Sequence, residues 1–344
     1  MTGKYNEKLF ILDGGLSTEL EAAGFKIQGD PLWSARLLHT NPKAVVDAHY
    51  RFLSSGADVI TTATYQASIE GFVQHLSQTP DQAEQLLRSG VQLAKKAVSD
   101  FTSDNFPSER KQPLVAGSVG AYGAYLHDGS EYTGAYEAGM SVEVRLSKAK
   151  CFMRVPSHIA CHLVTEASAL FSQELKAWHR PQVHALVAAG ADLIAMETIP
   201  SFKEAEALVE LLREFPDTKA WLSFSCKDAQ TISNGKKFSE AVEKACTSKQ
   251  LVAVGVNCCP PALIKPFLES VGAHRSPDIS WIVYPNSGEG WDLVTGWKTS
   301  KETQSFAWQA QEWAALGASW IGGCCGVAPA DIVELRGQLL GTQR

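Results

Sequence analysis

The chain has 344 residues, of which 45% are hydrophobic and 20% are charged, as in globular proteins with a sizeable core. Its net charge is −6, and the interspersed charges argue against a nucleic-acid-binding stripe or a polybasic membrane anchor. Because we find neither an N-terminal secretory signal nor an apolar run of about 20 residues, we expect a cytoplasmic protein without nucleic-acid or membrane partners.

Short apolar runs, each ending in a turn or polar residue, recur along the chain and predict eight strands that are buried on both faces. These runs are residues 9–12, 57–60, 114–116, 193–196, 220–224, 251–256, 281–284 and 320–321. Amphipathic segments of helical length lie between them: residues 42–55, 81–98, 203–215, 238–246, 303–316 and 329–340. Prolines that follow Asn41 and Thr79 are typical of helix starts.

This alternation of strands and helices predicts a single (β/α)8 TIM barrel over residues 1–344. A doubly wound open sheet is the alternative. The barrel is favoured because nearly every apolar run ends in a polar or reactive residue, and barrel enzymes build their sites at those strand ends. Gly56, Gly190 and Gly317 fit this pattern, since each is placed just after a helix and before the next strand.

Two cysteine doublets, Cys258-Cys259 and Cys324-Cys325, each follow a predicted strand. In a chain with eight cysteines and no secretory signal, such clusters favour metal binding or catalysis over disulfides. Thiolates are soft ligands that suit zinc, and three protein ligands with one open position are typical of catalytic zinc. Incidental buried cysteines are the alternative.

Adjacent metal ligands need an unusual bend of the backbone. Glycine adopts such conformations without steric cost, so we expect Gly322, Gly323 and Gly326 to supply the necessary freedom around the second doublet. These glycines strengthen the interpretation of the doublets as a metal site.

With these motifs the chain resembles the homocysteine S-methyltransferase family, whose domain also occurs in betaine–homocysteine methyltransferase and in cobalamin-dependent methionine synthase. The resemblance covers nearly the whole chain. It rests on Asp13-Gly14-Gly15-x-x-Thr18-Glu19, Glu197-Thr198, Gly-Val-Asn-Cys258 and Gly-Gly-Cys324-Cys325. It implies a catalytic Zn²⁺ on Cys258, Cys324 and Cys325, with Cys259 only a neighbour.

The resemblance also implies a substrate site for homocysteine. In the family, carboxylates that match Asp13 and Glu197 receive the α-amino group of the substrate. We expect Gly14 to let backbone amides approach the substrate carboxylate, and Asn257 either to bind substrate or to orient the metal loop. Homocysteine and a methyl donor are therefore the expected partners.

Four segments, residues 30–35, 65–68, 118–125 and 284–289, resemble the branch that uses S-methylmethionine or S-adenosylmethionine. A sulfonium suits aromatic faces and carboxylates, and we expect the candidates Trp33, Tyr65, Tyr122, Tyr125 and Glu289 to contact the donor. The chain lacks the long C-terminal extension of the betaine branch. The predicted function is therefore methyl transfer from a sulfonium to homocysteine, giving methionine; the alternatives are betaine or another donor, or an inactive zinc-binding barrel with a regulatory role.

Residues 144–173 depart from the family pattern, and we interpret them as an atypical insertion within the barrel domain, after the third strand. Joining Glu143 to Glu174 places Ser141 three positions before Glu174, which restores a helix capping box. The cysteines and histidines of the segment have no spacing typical of a metal site.

Overall fold

The computed structural model contains a closed ring of eight parallel strands, confirming the predicted barrel and excluding the open sheet. It describes residues 9–104, 106–107, 109–137, 157–271, 276, 278–288, 290–292, 296–298 and 306–341. The barrel strands are β1 (Phe10–Ile11), β2 (Val59–Thr61), β3 (Leu114–Val119), β4 (Leu193–Ile199), β5 (Ala220–Phe224), β6 (Leu251–Asn257), β7 (Ser280–Tyr284) and β10 (Ala318–Ile321). A hairpin of β8 (Gly290–Asp292) and β9 (Gly296–Lys298) precedes the last of them.

Strand order follows chain order around the ring, and a parallel bridge between Leu12 and Val59 joins its two ends. The surrounding helices are α1 (Leu16–Ala22), α2 (Leu37–Thr40), α3 (Pro42–Ser54), α4 (Ile69–Leu76), α5 (Pro80–Ser103), α6 (Tyr122–Leu126), α7 (Ser157–Ala188), α8 (Phe202–Leu211), α9 (Phe238–Ala245), α10 (Ile264–Val271), α11 (Ala307–Ala315) and α12 (Pro329–Leu340). All six predicted helices are present. Asn41 caps α3, and Thr79 forms a capping box with Gln82 at the start of α5.

Large aromatic side chains fill the inside of the barrel. Trp320 stacks on Phe10 with 4.3 Å between ring centroids, and Trp221 packs against Trp320. The indole N–H of Trp221 donates to the Tyr284 hydroxyl over 3.0 Å. Trp221 and Tyr284 also line a cavity at the carboxyl ends of the strands, so this aromatic layer forms part of that cavity's wall.

The segment predicted as an insertion, residues 144–173, is described only in part. Residues 157–173 belong to α7, whereas residues 144–156 and the broken capping box at Ser141 lie outside the described residues. Phe171 is buried and belongs to a small apolar cluster with Tyr136, Leu175 and Ala207. In the described part of the chain, no helix has the length and hydropathy needed to span a membrane.

Candidate active site

Three thiols, those of Cys258, Cys324 and Cys325, form a cluster at the carboxyl ends of β6 and β10 and line the cavity. Their sulfur atoms all lie within 4.8 Å of one another. The Cys325 Sγ atom is 3.7 Å from the Cys258 Sγ atom and 3.9 Å from the Cys324 Sγ atom. A tetrahedral zinc ion with Zn–S bonds of about 2.3 Å requires sulfur–sulfur separations of about 3.8 Å. The described thiols therefore fit a zinc ion, with a fourth ligand position left for a substrate.

The backbone at the end of β6 separates the two thiols of the first doublet. Cys258 has a φ of 50°, in the left-handed region that non-glycine residues rarely adopt. The neighbouring Cys259 side chain is buried in the apolar layer between the sheet and the helices. Cys259 therefore lies outside the three-thiol cluster.

The glycines around the second doublet are needed mainly for close packing, which corrects the expectation of backbone freedom at all three. A Cβ atom on Gly322 would lie 2.4 Å from the Leu12 Cβ atom, and one on Gly323 would lie 2.3 Å from the Val327 Cγ1 atom. Of the three, Gly326 has the left-handed conformation, with a φ of 77°. At Gly322 and Gly323, therefore, close contact with Leu12 and with Val327 excludes a larger side chain.

Two buried carboxyl groups, Asp13 and Glu197, line the same cavity as the thiols. The Thr61 N–H donates to the Asp13 Oδ2 atom over 2.8 Å, and the Ser118 hydroxyl donates to Glu197. Burial raises the pKa of Asp13 to about 8, opposed by the Thr61 hydrogen bond and increased by the charge of Glu197. Burial likewise raises the pKa of Glu197 to about 7, opposed by its bond to Ser118. An incoming ammonium group would stabilise the ionised form of both carboxyls.

Asp13→Asn should stabilise the protein more at pH 8 than at pH 5. Folded Asp13 stays protonated up to about pH 8, whereas the unfolded side chain ionises near its ordinary pKa of 3.8. Folding therefore takes up a proton between these values, and wild-type stability falls as the pH rises through them. The Asn side chain does not ionise, so the variant does not lose stability over this pH range. Thermal unfolding at both pH values measures it, with Asp217→Asn as the control at an exposed site; an equal shift at both pH values would contradict the assignment.

Asn257 is fully buried and does not line the cavity. Its Oδ1 atom accepts from the Thr198 N–H over 2.8 Å, and its amide nitrogen donates to the Thr198 hydroxyl over 2.8 Å. Thr198 has a φ of 58°, a strained value for a β-branched residue. The geometry therefore gives Asn257 a role other than the two expected from the sequence: it holds the backbone next to Glu197.

The cavity has a volume of about 320 Å³ and extends from the thiols to the segment around Trp33. Gly14, Trp33 and Tyr65 line it. Tyr122 and Tyr125, also candidates for donor contact, do not line the cavity; they pack against Trp178 of α7. Glu289, the remaining donor candidate, lies outside the described residues.

Sequence reasoning missed two residues that enter the site from the short 3₁₀ helix Ser130–Tyr132. The Tyr132 hydroxyl lies 3.4 Å from the Cys258 Sγ atom, and Glu131 lines the cavity beside it. The sequence carried one signal, since these polar residues belong to the loop that follows β3 on the active-site side of the barrel. The contact with Cys258 could not be predicted, because this loop is far along the chain from both cysteine doublets.

Comparisons with known proteins agree with this geometry. A family model described as homocysteine S-methyltransferase matches residues 10–339. The chain is 39% identical over 341 residues to betaine-homocysteine S-methyltransferase of Drosophila melanogaster, with 95% of this chain and 93% of the relative covered. It is 38% identical over 330 residues to homocysteine S-methyltransferase YbgG of Bacillus subtilis (strain 168), with 95% and 93% covered.

Among solved structures, the metallated form of the homocysteine methyltransferase MmuM from Escherichia coli has a TM-score of 0.77 and 34% identity, with 97% of each chain covered. The Drosophila relative is named for betaine, yet this chain covers 93% of its length. The expectation that length separates this chain from the betaine branch therefore does not hold for this relative.

Proposed function

The chain belongs to the homocysteine S-methyltransferase family, and on that basis we propose that it transfers a methyl group from a sulfonium donor to homocysteine, giving methionine. One observation carries this proposal: the three-thiol cluster faces a cavity that also contains two buried carboxyls. One cavity therefore contains both a site for a soft metal ion and a site for an ammonium group. Homocysteine carries both matching groups, a thiol and an α-amino group.

Cys258, Cys324 and Cys325 are the proposed ligands of a Zn²⁺ ion, because the Cys325 sulfur lies from the other two at the separations of a tetrahedral site. When bound, zinc supplies a position where the homocysteine sulfur is held as a thiolate, the reactive form of a thiol. Asp13 and Glu197 receive the α-ammonium group, where burial strengthens the attraction between charges. Backbone amides near Gly14 are proposed to bind the carboxylate of the substrate.

The faces of Trp33 and Tyr65 offer cation–π contacts to a sulfonium within the same cavity. In the transfer, the homocysteine sulfur forms a bond to the methyl carbon as the bond from that carbon to the donor sulfonium breaks. The breaking bond's electron pair stays on the donor sulfur, which leaves as a neutral thioether. The negative charge of the thiolate and the positive charge of the sulfonium cancel in the products. Because the methyl group passes directly from one sulfur to the other, no covalent enzyme intermediate is required.

Methionine formation by the zinc-loaded protein tests the proposal, with homocysteine and either S-methylmethionine, S-adenosylmethionine or betaine. We expect turnover with a sulfonium donor and about one zinc ion per chain. Betaine is the second candidate, because the Drosophila relative is named for it. No methionine from any donor despite bound zinc would favour an inactive, regulatory barrel. The cytoplasmic location expected from the sequence stays a prediction.

We also propose that residues 144–173 are an insertion that the barrel tolerates because its flanks are held together. The buried carboxylate of Glu204 accepts a hydrogen bond from the Tyr136 hydroxyl, before the segment, and lies 2.7 Å from the His179 Nε2 atom, after it. Glu204 also accepts the Tyr122 N–H over 2.6 Å. One carboxylate thus ties both flanks to the loop after β3. Within the segment, the described side chains 170–173 do not line the cavity.

Deleting residues 144–173 should raise both thermal stability and turnover, because the junction restores the Ser141 capping box on the helix that now includes Glu174. Unfolding temperature and methionine formation are compared with those of the full chain. Unchanged or poorer values would count against the insertion. Since the deletion also removes the packing of Phe171, a Phe171→Ala variant of the full chain measures that contribution separately.

A further inference from the structure

Four carboxylates line the cavity in the described part of the chain: Asp13, Asp30, Glu131 and Glu197. Three of them have polar partners. Asp30 forms an ion pair with Arg36, and Asp13 and Glu197 accept the hydrogen bonds described above. The Glu131 Oε2 atom, by contrast, is buried and has no hydrogen-bond partner among the described residues. The half-buried carboxylate accepts the Glu131 N–H, and a positive charge beside the unpartnered Oε2 atom would offset the cost of burying that atom.

The position of Glu131 shows where that partner would lie. Its carbonyl oxygen accepts the Ser225 hydroxyl over 2.8 Å, which fixes the backbone. The next residue, Tyr132, contacts the Cys258 sulfur. Burial, and then the charge of Glu131, raise the pKa of Tyr65 well above its ordinary value, which places the carboxylate close to that ring. Glu131 therefore lies between the thiol cluster and an aromatic wall of the cavity.

A methyl donor must place its methyl group against the homocysteine sulfur, and its onium charge is adjacent to that methyl. We propose that Glu131 is the counter-ion of the donor's methyl-bearing onium group and thereby determines the preference for cationic donors. This inference rests on the proposed function and adds a residue to it. Burial raises the pKa of Glu131 to about 7, so a cation beside it would favour the ionised form.

Glu131→Gln keeps the shape of the side chain and removes its charge. In the zinc-loaded enzyme, the KM for S-methylmethionine should rise about 10- to 100-fold, because the sulfonium, which donates no hydrogen bond, loses the attraction of a counter-charge in the cavity. The KM for homocysteine and the zinc content should not change. Glu131→Asp should retain part of the donor affinity, and Glu240→Gln, at an exposed site on α9, should behave as wild type.

A second donor distinguishes the onium centre from the α-ammonium group. Dimethylsulfonioacetate has a sulfonium but no amino group, and Glu131→Gln should weaken it as a substrate or competitive inhibitor as much as it weakens S-methylmethionine. An effect on S-methylmethionine alone would overturn the inference, as would an unchanged donor KM or a parallel loss of zinc. Calorimetric binding of both sulfonium compounds is measured on the same proteins. A wild type that binds them without forming methionine contradicts only the proposed function, whereas one that binds neither contradicts both.

Discussion

Cys325→Ser should remove zinc and methionine formation together. The Cys325 sulfur lies within 4 Å of both other thiols, and a serine hydroxyl is a hard, protonated group that replaces a thiolate poorly. Loss of groups that merely support a ligand weakens metal binding by about 10- to 100-fold, so loss of a ligand should weaken it by about 100-fold or more. Zinc per chain after dialysis and the rate of methionine formation are the measurements.

Cys246→Ser is the matched control for this substitution, because it removes a half-buried thiol that lies outside the cluster. It should keep both zinc and activity. Retained zinc with full turnover in Cys325→Ser would refute the ligand assignment. Loss of zinc with retained turnover would instead show that the reaction does not depend on the metal.

Glu197→Gln should lower kcat/KM for homocysteine by about 30-fold or more while zinc stays bound. The Glu197 side chain is buried, and its partner in the proposed complex is a fully charged ammonium group. Removing one member of a buried, hydrogen-bonded charge pair costs about 2–5 kcal/mol, because the other charge is left without compensation. Steady-state kinetics with homocysteine varied at saturating donor measure the effect.

The deaminated analogue 4-mercaptobutanoate separates this role from a general structural one. Because it has no amino group, Glu197→Gln should react with it no more slowly than the wild type does. Glu240→Gln serves again as the charge-matched control. An equal loss with homocysteine and with the analogue would show that Glu197 supports the site without binding the ammonium group.

Much of the site could be predicted from the sequence because it lies at strand ends. Asp13, Glu197 and Cys258 each come at or just after the end of a buried apolar run, and parallel strands of a barrel bring those ends to one face. Apolar runs bounded by turn residues also predicted all eight barrel strands. The short elements were missed because they have too few residues to show a clear periodicity: helices α1, α2, α4, α6 and α10 and the β8–β9 hairpin. The long helix α7 was not among the predicted segments, since its first half was interpreted as part of an insertion.

Residues on loops could not be placed in this way. Tyr122 and Tyr125 were expected to contact the donor, yet they pack against α7, whereas Glu131 of the same loop faces the cavity. A loop has no fixed period that relates neighbouring side chains, so nothing in its sequence distinguishes an inward residue from an outward one. Contacts with helices from elsewhere in the chain decide which side chains turn inward.

The sequence by itself determined the barrel, the family and the groups that carry the chemistry, because apolar periodicity and strand-end position are local properties. The tertiary structure alone decided how those groups act. It brought Tyr132 to the Cys258 sulfur and turned Asn257 towards Thr198. It also left one oxygen of Glu131 without a partner. Each of these depends on atoms far apart in the chain, whose separations are set by how strands and loops pack.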